Sequence, residues 1–384
     1  MQRRDVLVAT WAGGGNLPPL LSVAQLLAGR GCAVRVLTSR ATQKAAEAGG
    51  LHVVPYTRSP QPDMTVAFES QAAEFMAVMA GPEIASEVRE NLNQLEPQLL
   101  VADCMLPAAL AAGRATGTPT ASVVHFLYGA ARAQIANGSG WTTDFRQLNL
   151  TRTALGLQAL AHPIEAWEEP DLVLVTAPRW FDLPADFAPH VLHAGPVGIR
   201  RQRASPMGQP LTGRSRRPRV LITFSTTVMH QQLEVMHAVC DACNRTGADA
   251  TLTLGPAIDA RSVPTLAGVT VIPFANHDEI LPQCTAVITH AGLGTTLRAI
   301  AHGVPQLMLP LGRDQHLNAT RVTDLGAGIM LAAKSPPAKI AAALLRILDD
   351  NRFHAAAAAA AARIEADDPD TAAAEAIAQL GHHR

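Results

Sequence analysis

Residues 286–310 read AVITHAGLGTTLRAIAHGVPQLMLP. The apolar run Ala286–His290 ends in a turn with two glycines, Gly292 and Gly294. A stretch of helical spacing follows, then Gly303-Val304-Pro305, then a second apolar run, Gln306–Pro310. Runs that are apolar without alternation are strands covered on both faces. A strand, a helix and a second such strand in sequence make a parallel unit with helices on its faces.

Moving outward, the same alternation fills the chain. Strands are expected at Asp5–Trp11, Ala33–Thr38, Leu51–Pro55, Leu99–Asp103, Pro119–His125 and Leu172–Thr176 in the first half. Arg219–Phe224, Ala250–Leu254 and Val269–Pro273 precede the opening pair in the second. The halves correspond piece by piece: RRDVLVATW with RPRVLITFS, LHVVPY with VTVIPF, LLVAD with AVITH, GRATGTPTASV with AIAHGVPQLML. Two similar doubly wound α/β domains follow from this. Residues 1–200 form the first and 219–355 the second. Residues 201–218, rich in Arg, Pro, Gly and Ser, read as an exposed linker, and 356–384 as a helical tail. In such sheets ligands bind beyond the carboxyl ends of the strands, and the expected site is a cleft between facing domains.

Composition narrows the partners. Hydrophobic residues at 48% and charged residues at 16% describe a folded chain. A formal net charge of -1 gives no electrostatic case for nucleic acid or an anionic membrane. The basic start Met1–Arg4 is followed by an apolar run too short for a leader or a membrane helix, so a cytoplasmic protein is expected. Cys240 and Cys243 sit on a helical pattern with no second pair beside them, which fits i,i+3 packing rather than zinc. The acids Asp367, Asp368 and Asp370 read as a solvated turn between helices, so neither metal nor cofactor is expected.

Chemistry concentrates after the strands. The turn Thr289–Thr296 offers bare backbone and a helix N-terminus, a setting for a diphosphate, with His290 as a further donor. Asp314 and Gln315 lie past the end of the last strand. An acid beside an amide suits sugar hydroxyls, and Asp314 also stands where a helix would be capped.

The run THAGLGTTLRAIAHGVPQLMLPLGRDQHLNATRVTDLGAGIML, residues 289–331, resembles the donor-binding signature of family 1 glycosyltransferases with the GT-B fold. GGGNLPPLLSVAQLLAGRG and PQLLVADCMLPAALAAGRATGTP extend the resemblance more weakly over the first half. The look is that of actinomycete enzymes that decorate polyketide, enediyne or macrolide aglycones with dTDP-sugars. The resemblance implies that His290 and the backbone of Gly292, Leu293, Gly294 and Thr295 hold the diphosphate. Ser225 and Thr226 would also touch phosphate. Asp314 and Gln315 would hold the sugar, and Phe274 and Ala275 the base. It implies an inverting transfer from a dTDP-sugar or UDP-sugar co-substrate to a small apolar acceptor held by the first domain. A homodimer is compatible with it. Phe68, Phe75, Met76 and Met79, with Phe126, Tyr128, Trp141 and Phe145, line either the acceptor pocket or the core.

Two positions depart from the family. Arg298 stands where the family has a Glu that accepts ribose hydroxyls; it fits a deoxyribose donor, or a helix surface. Asn16 stands where the GHxxP loop of the family carries its general base, and an amide takes up no proton at neutral pH. Asp103 matches the carboxylate that orients that His. It is a candidate base, directly or through water, or a cap of the next helix. His125 is another candidate, or a packed strand end, and a sufficiently acidic acceptor needs no strong base. Two rival functions remain: a sugar-nucleotide epimerase on the same fold, and an inactive sugar-nucleotide-binding auxiliary protein.

Overall fold

Leu99–Asp103 is buried at all of its positions, as an uninterrupted apolar run should be in the middle of a sheet. In the computed structural model, which describes residues 4–63, 66, 70, 72–137, 145–199, 217–227, 229, 231–255, 258–263 and 268–380, this run is the central strand of the first of two sheets. Strands β1 (Asp5–Ala9), β2 (Ala33–Thr38), β3 (His52–Pro55), β4 (Leu99–Asp103), β5 (Thr120–Val124), β6 (Leu172–Val175) and β7 (Val191–His193) lie in the order β3-β2-β1-β4-β5-β6-β7. All neighbours are parallel. Val8, Val101, Val123 and Leu174 from its inner strands share one core with Leu20, Val23 and Leu27 of the helix Leu17–Gly29. Pro18 and Pro19 occupy the first turn of that helix, where a missing N–H leaves no bond unmade.

The second sheet repeats the plan. Strands β8 (Arg219–Thr223), β9 (Asp249–Thr253), β10 (Val269–Ile272), β11 (Ala286–Thr289), β12 (Gln306–Met308) and β13 (Gly328–Met330) lie in the order β10-β9-β8-β11-β12-β13, again all parallel. Its core joins Ile222, Leu252, Ile288 and Leu307 to Val239, Cys240 and Cys243 of the helix Gln232–Thr246. Both cysteines are free, and burial pushes their thiols up to about 11 and about 12, as packing residues rather than metal ligands. In each sheet the chain first extends one side of its first strand and then crosses to the other. The switch points therefore fall between β1 and β4 and between β8 and β11.

The two short strands β7 and β13, three residues each, were not visible as strands in the sequence. The tail also differs from the sequence boundaries. Contacts divide the chain into Met1–Gly198 with Asp367–Arg384, and Ile199–Ala366. The helix Asn351–Asp367 runs through position 356 without a break, and the helix Pro369–Gln379 buries Ala373 and Ile377 in the core of the first sheet. The acids between them are docked, not merely solvated. Asp367 accepts from the Trp180 indole at 2.8 Å, Asp370 from the Gly198 amide at 2.7 Å, and Asp368 caps the last helix. Most of the expected linker, 200–216, lies outside the described residues. No helix among the described residues is long and apolar enough to cross a membrane.

Candidate active site

Three neighbouring strands of the first sheet end on one another's side chains. Asp103 closes β4, His125 follows β5 directly, and Asn16 lies in the loop after β1. Register places Asp103 beside Val123, so His125 stands one pleat further along on the same face. The Asp103 carboxylate is fully buried. Its Oδ1 accepts from the Met105 amide at 2.9 Å and lies 3.0 Å from His125 Nε2. Its Oδ2 accepts from Asn16 Nδ2 at 2.6 Å. Asn16 also donates to the Trp11 carbonyl at 3.1 Å, while its Oδ1 has no partner among the described residues. The loop needs Gly13 for this: a Cβ there would come within 2.7 Å of Asn16 Oδ1 and 2.8 Å of the Trp11 ring. The resemblance already paired Asp103 with position 16, and the structure adds His125 to the same network.

This network bears on the roles offered for Asp103. Asp103 makes no side-chain cap of the following helix: Leu106 is its N-cap, and the Leu106 amide bonds to the Asp103 carbonyl. Nor is Asp103 placed to meet an acceptor, because its carboxylate is buried and both oxygens already take N–H donors. Asp103, Cys104 and His125 do offer ligand atoms within 4.8 Å of one another. Burial, and then the Asp103 charge, push the Cys104 thiol well above its usual range, so it stays protonated. The Asp103 carboxylate thus takes N–H donors on both oxygens beside a protonated thiol.

Of the aromatic and methionine residues, Phe75, Met79 and Tyr128 are core side chains, whereas Met76, Phe126 and Phe145 are half-buried. Phe68 and Trp141 lie outside the described residues. Phe126 sets its ring edge-on to His125, with centroids 5.6 Å apart, and leans on Trp167 at 5.1 Å. It forms an apolar wall beside His125.

The second sheet carries the other site at its own switch point. The helix Leu293–Ala301 starts at Gly292 with no side-chain cap, so its first N–H groups face outward. Gly292 has a specific reason to be glycine. A Cβ there would lie 2.7 Å from His290 Nε2. Gly294 differs: it is exposed, and a Cβ would meet nothing within 4 Å. Leu293 turns its side chain inward and offers only backbone; Thr295 is half-buried. His290 is buried. Burial, and then the nearby Arg313 cation, pull its pKa down to about 4. At neutral pH it is therefore uncharged.

Ala291 and Arg313 are non-glycine residues in left-handed conformation, φ 66 and φ 55, one in each of the loops after β11 and β12. The two loops are tied by Asn318, which is fully buried. Its Nδ2 donates to the Ala291 carbonyl and to Asp314 Oδ2, both at 3.0 Å. Asp314 stands at the helix N-cap without capping it; its Oδ2 takes Asn318 instead. Gln315 is buried. Its Oε1 accepts from the Leu311 amide at 2.7 Å and the Gly312 amide at 3.2 Å, and its Nε2 lies 3.2 Å from Met229 sulfur. It shapes the loop from inside. Asn318 was quoted in the sequence run without a role. Its spacing four residues after Asp314 on one helix is the signal that would have found it.

Around these loops, Ser225 is buried and takes the Thr227 amide at 3.1 Å, whereas Thr226 is exposed beyond β8. Phe274, after β10, is 77% exposed, and Ala275 beside it is half-buried. Arg298 is not a loose surface residue. Its Nε lies 3.5 Å from the buried Asp278 carboxylate, which His302 Nε2 approaches at 3.0 Å. His277 lies 3.4 Å from the Thr223 hydroxyl, and burial, then Arg298, lowers it to about 4.

Comparison with known proteins agrees with this layout. Residues 248–380 match the family of the erythromycin biosynthesis protein CIII-like C-terminal domain. The elloramycin glycosyltransferase ElmGT of Streptomyces olivaceus is 39% identical over a stretch covering 36% of each chain. The L-demethylnoviosyl transferase of Streptomyces niveus is 27% identical over 91% of each. The crystal structure of the glycosyltransferase VinC in complex with dTDP superposes with a TM-score of 0.75 at 20% identity, covering 97% of this chain and 98% of that one. The two parallel doubly wound sheets have the GT-B fold of that solved structure, and the chain is similar in sequence to actinomycete antibiotic glycosyltransferases, most clearly over residues 248–380.

Proposed function

We propose that the chain transfers a sugar from a dTDP-sugar to a small, largely apolar natural-product aglycone, with inversion at the anomeric carbon. The uncapped N-terminus of the helix Leu293–Ala301, with neutral His290 pressed against Gly292, carries the reading. Amide N–H groups, the helix dipole and one imidazole N–H suit a diphosphate and stabilise the charge that grows on it as it leaves. Sugar hydroxyls fall to Asp314, and Phe274 offers its exposed face to a base. A pyrimidine lacking the ribose 2′-hydroxyl fits best. Arg298 accepts no hydrogen bond, and the nearest acid, Asp278, already faces Arg298 and His302. The dTDP complex of VinC supports the same nucleotide. The donors named here are all protein groups, so the reading uses neither metal nor cofactor. Acceptor binding falls to the N-terminal unit beside Phe126, and a cytoplasmic location accompanies the reading.

Incubation with dTDP-glucose or dTDP-rhamnose and a panel of polyketide and macrolide aglycones tests this. Free dTDP and a product heavier by one sugar should appear only when aglycone is present. Conversion of the donor sugar without any acceptor would instead mark an epimerase. Tight dTDP binding with no product from any pair would favour the auxiliary-protein reading that Asn16 suggests.

A further inference from the structure

The family position for the proton-accepting histidine holds Asn16, yet the carboxylate that would orient such a histidine is present and occupied. Asp103 offers Oδ1 to His125 and Oδ2 to Asn16. The tautomer that donates from Nε2 to Asp103 Oδ1 across this 3.0 Å contact carries its ring lone pair on Nδ1. The ring makes no other hydrogen bond among the described residues, and 13% of the side chain reaches solvent, against 0% for Asp103. Edge contact with Phe126 limits its rotation.

We infer that the general base has moved from the loop after β1 to the end of β5: His125 accepts the proton of a hydroxyl acceptor at Nδ1, Asp103 positions the ring, and Asn16 fixes the carboxylate from its other side. This rests on the transferase reading above. As the acceptor O–H gives its proton to Nδ1, the oxygen forms a bond to the anomeric carbon. The bond from that carbon to the diphosphate breaks, and its electron pair leaves with the dTDP. Asn16 is a positioning residue. Its amide holds the place from which an imidazole would meet Asp103 Oδ2.

The test uses the full chain with His125→Gln and the double variant Asn16→His/His125→Gln. Probes are dTDP-glucose with 4-methoxyphenol and with 4-nitrophenol, the second already largely ionised at pH 8. His125→Gln should lose on the order of 100-fold in rate with 4-methoxyphenol and far less with 4-nitrophenol. Its thermal shift with dTDP should match the wild type, which separates a lost base from a lost donor site. The double variant should regain at least tenfold with 4-methoxyphenol. Independently of any acceptor, ¹⁵N-histidine NMR of the wild type should show His125 protonated at Nε2 and bare at Nδ1. A rate within threefold of wild type, equal losses for both phenols, no gain in the double variant, or the opposite tautomer would each overturn the assignment.

Discussion

The side-chain amide of Asn318 donates to the backbone carbonyl of Ala291 at 3.0 Å, fastening the helix after β12 to the loop after β11. The same nitrogen reaches Asp314, so one buried side chain sets the spacing between the diphosphate loop and the acid assigned to the sugar. Asn318→Ala leaves the Ala291 carbonyl unpaired in the interior. The expected loss is about 1–3 kcal/mol of stability. Isothermal titration should show dTDP binding weakened as well, because Ala291 holds a strained left-handed backbone that this bond restrains.

The two glycines of the loop should respond in opposite ways. Gly292→Ala places a methyl on His290, so the ligand-free protein should lose about 1–3 kcal/mol in urea unfolding. Gly294→Ala enters open space and removes a glycine from a helix, so the free protein should hold or gain up to about 1 kcal/mol. The same methyl stands where a diphosphate would approach. Binding of dTDP should fall in Gly294→Ala despite its undiminished stability.

Acid should weaken the C-terminal unit through His277 and His290, each held near pKa 4 by burial. An unfolded histidine titrates near about 6.5. Between those values the unfolded chain binds more protons than the folded one, so stability rises with pH there. The contribution of these histidines is complete above about pH 6.5, shrinks as pH drops toward 4, and changes little below. Urea midpoints from pH 7 to pH 4 should fall less steeply for His277→Gln than for the wild type.

Much of this molecule was legible from its residues, for reasons that also explain the rest. The central strands announce themselves because burial on both faces demands unbroken apolar runs, as in Leu99–Asp103. Strands β7 and β13 lack that signature, since three residues at a sheet edge have only intermediate cover at most positions. The turn from β11 into its helix was legible because two glycines interrupt the apolar pattern there. Individual side-chain roles were not. Gln315 and Asp314 are adjacent in sequence, yet one bonds to the amides of its own loop and the other to buried Asn318. Asp103 and His125 meet only because β4 and β5 are neighbours in a particular register, which spacing along the chain does not encode.

The central claim is that the second sheet holds a dTDP-sugar. Thermal unfolding of the full chain with saturating dTDP, UDP, GDP or ADP tests it most directly. At 100 times its dissociation constant a ligand stabilises the folded state by about 2.7 kcal/mol. That raises the midpoint by several degrees in a protein of this size. The account predicts such a rise with dTDP, a smaller one with UDP, and little with the purine nucleotides. A midpoint unmoved by any of the four would contradict it.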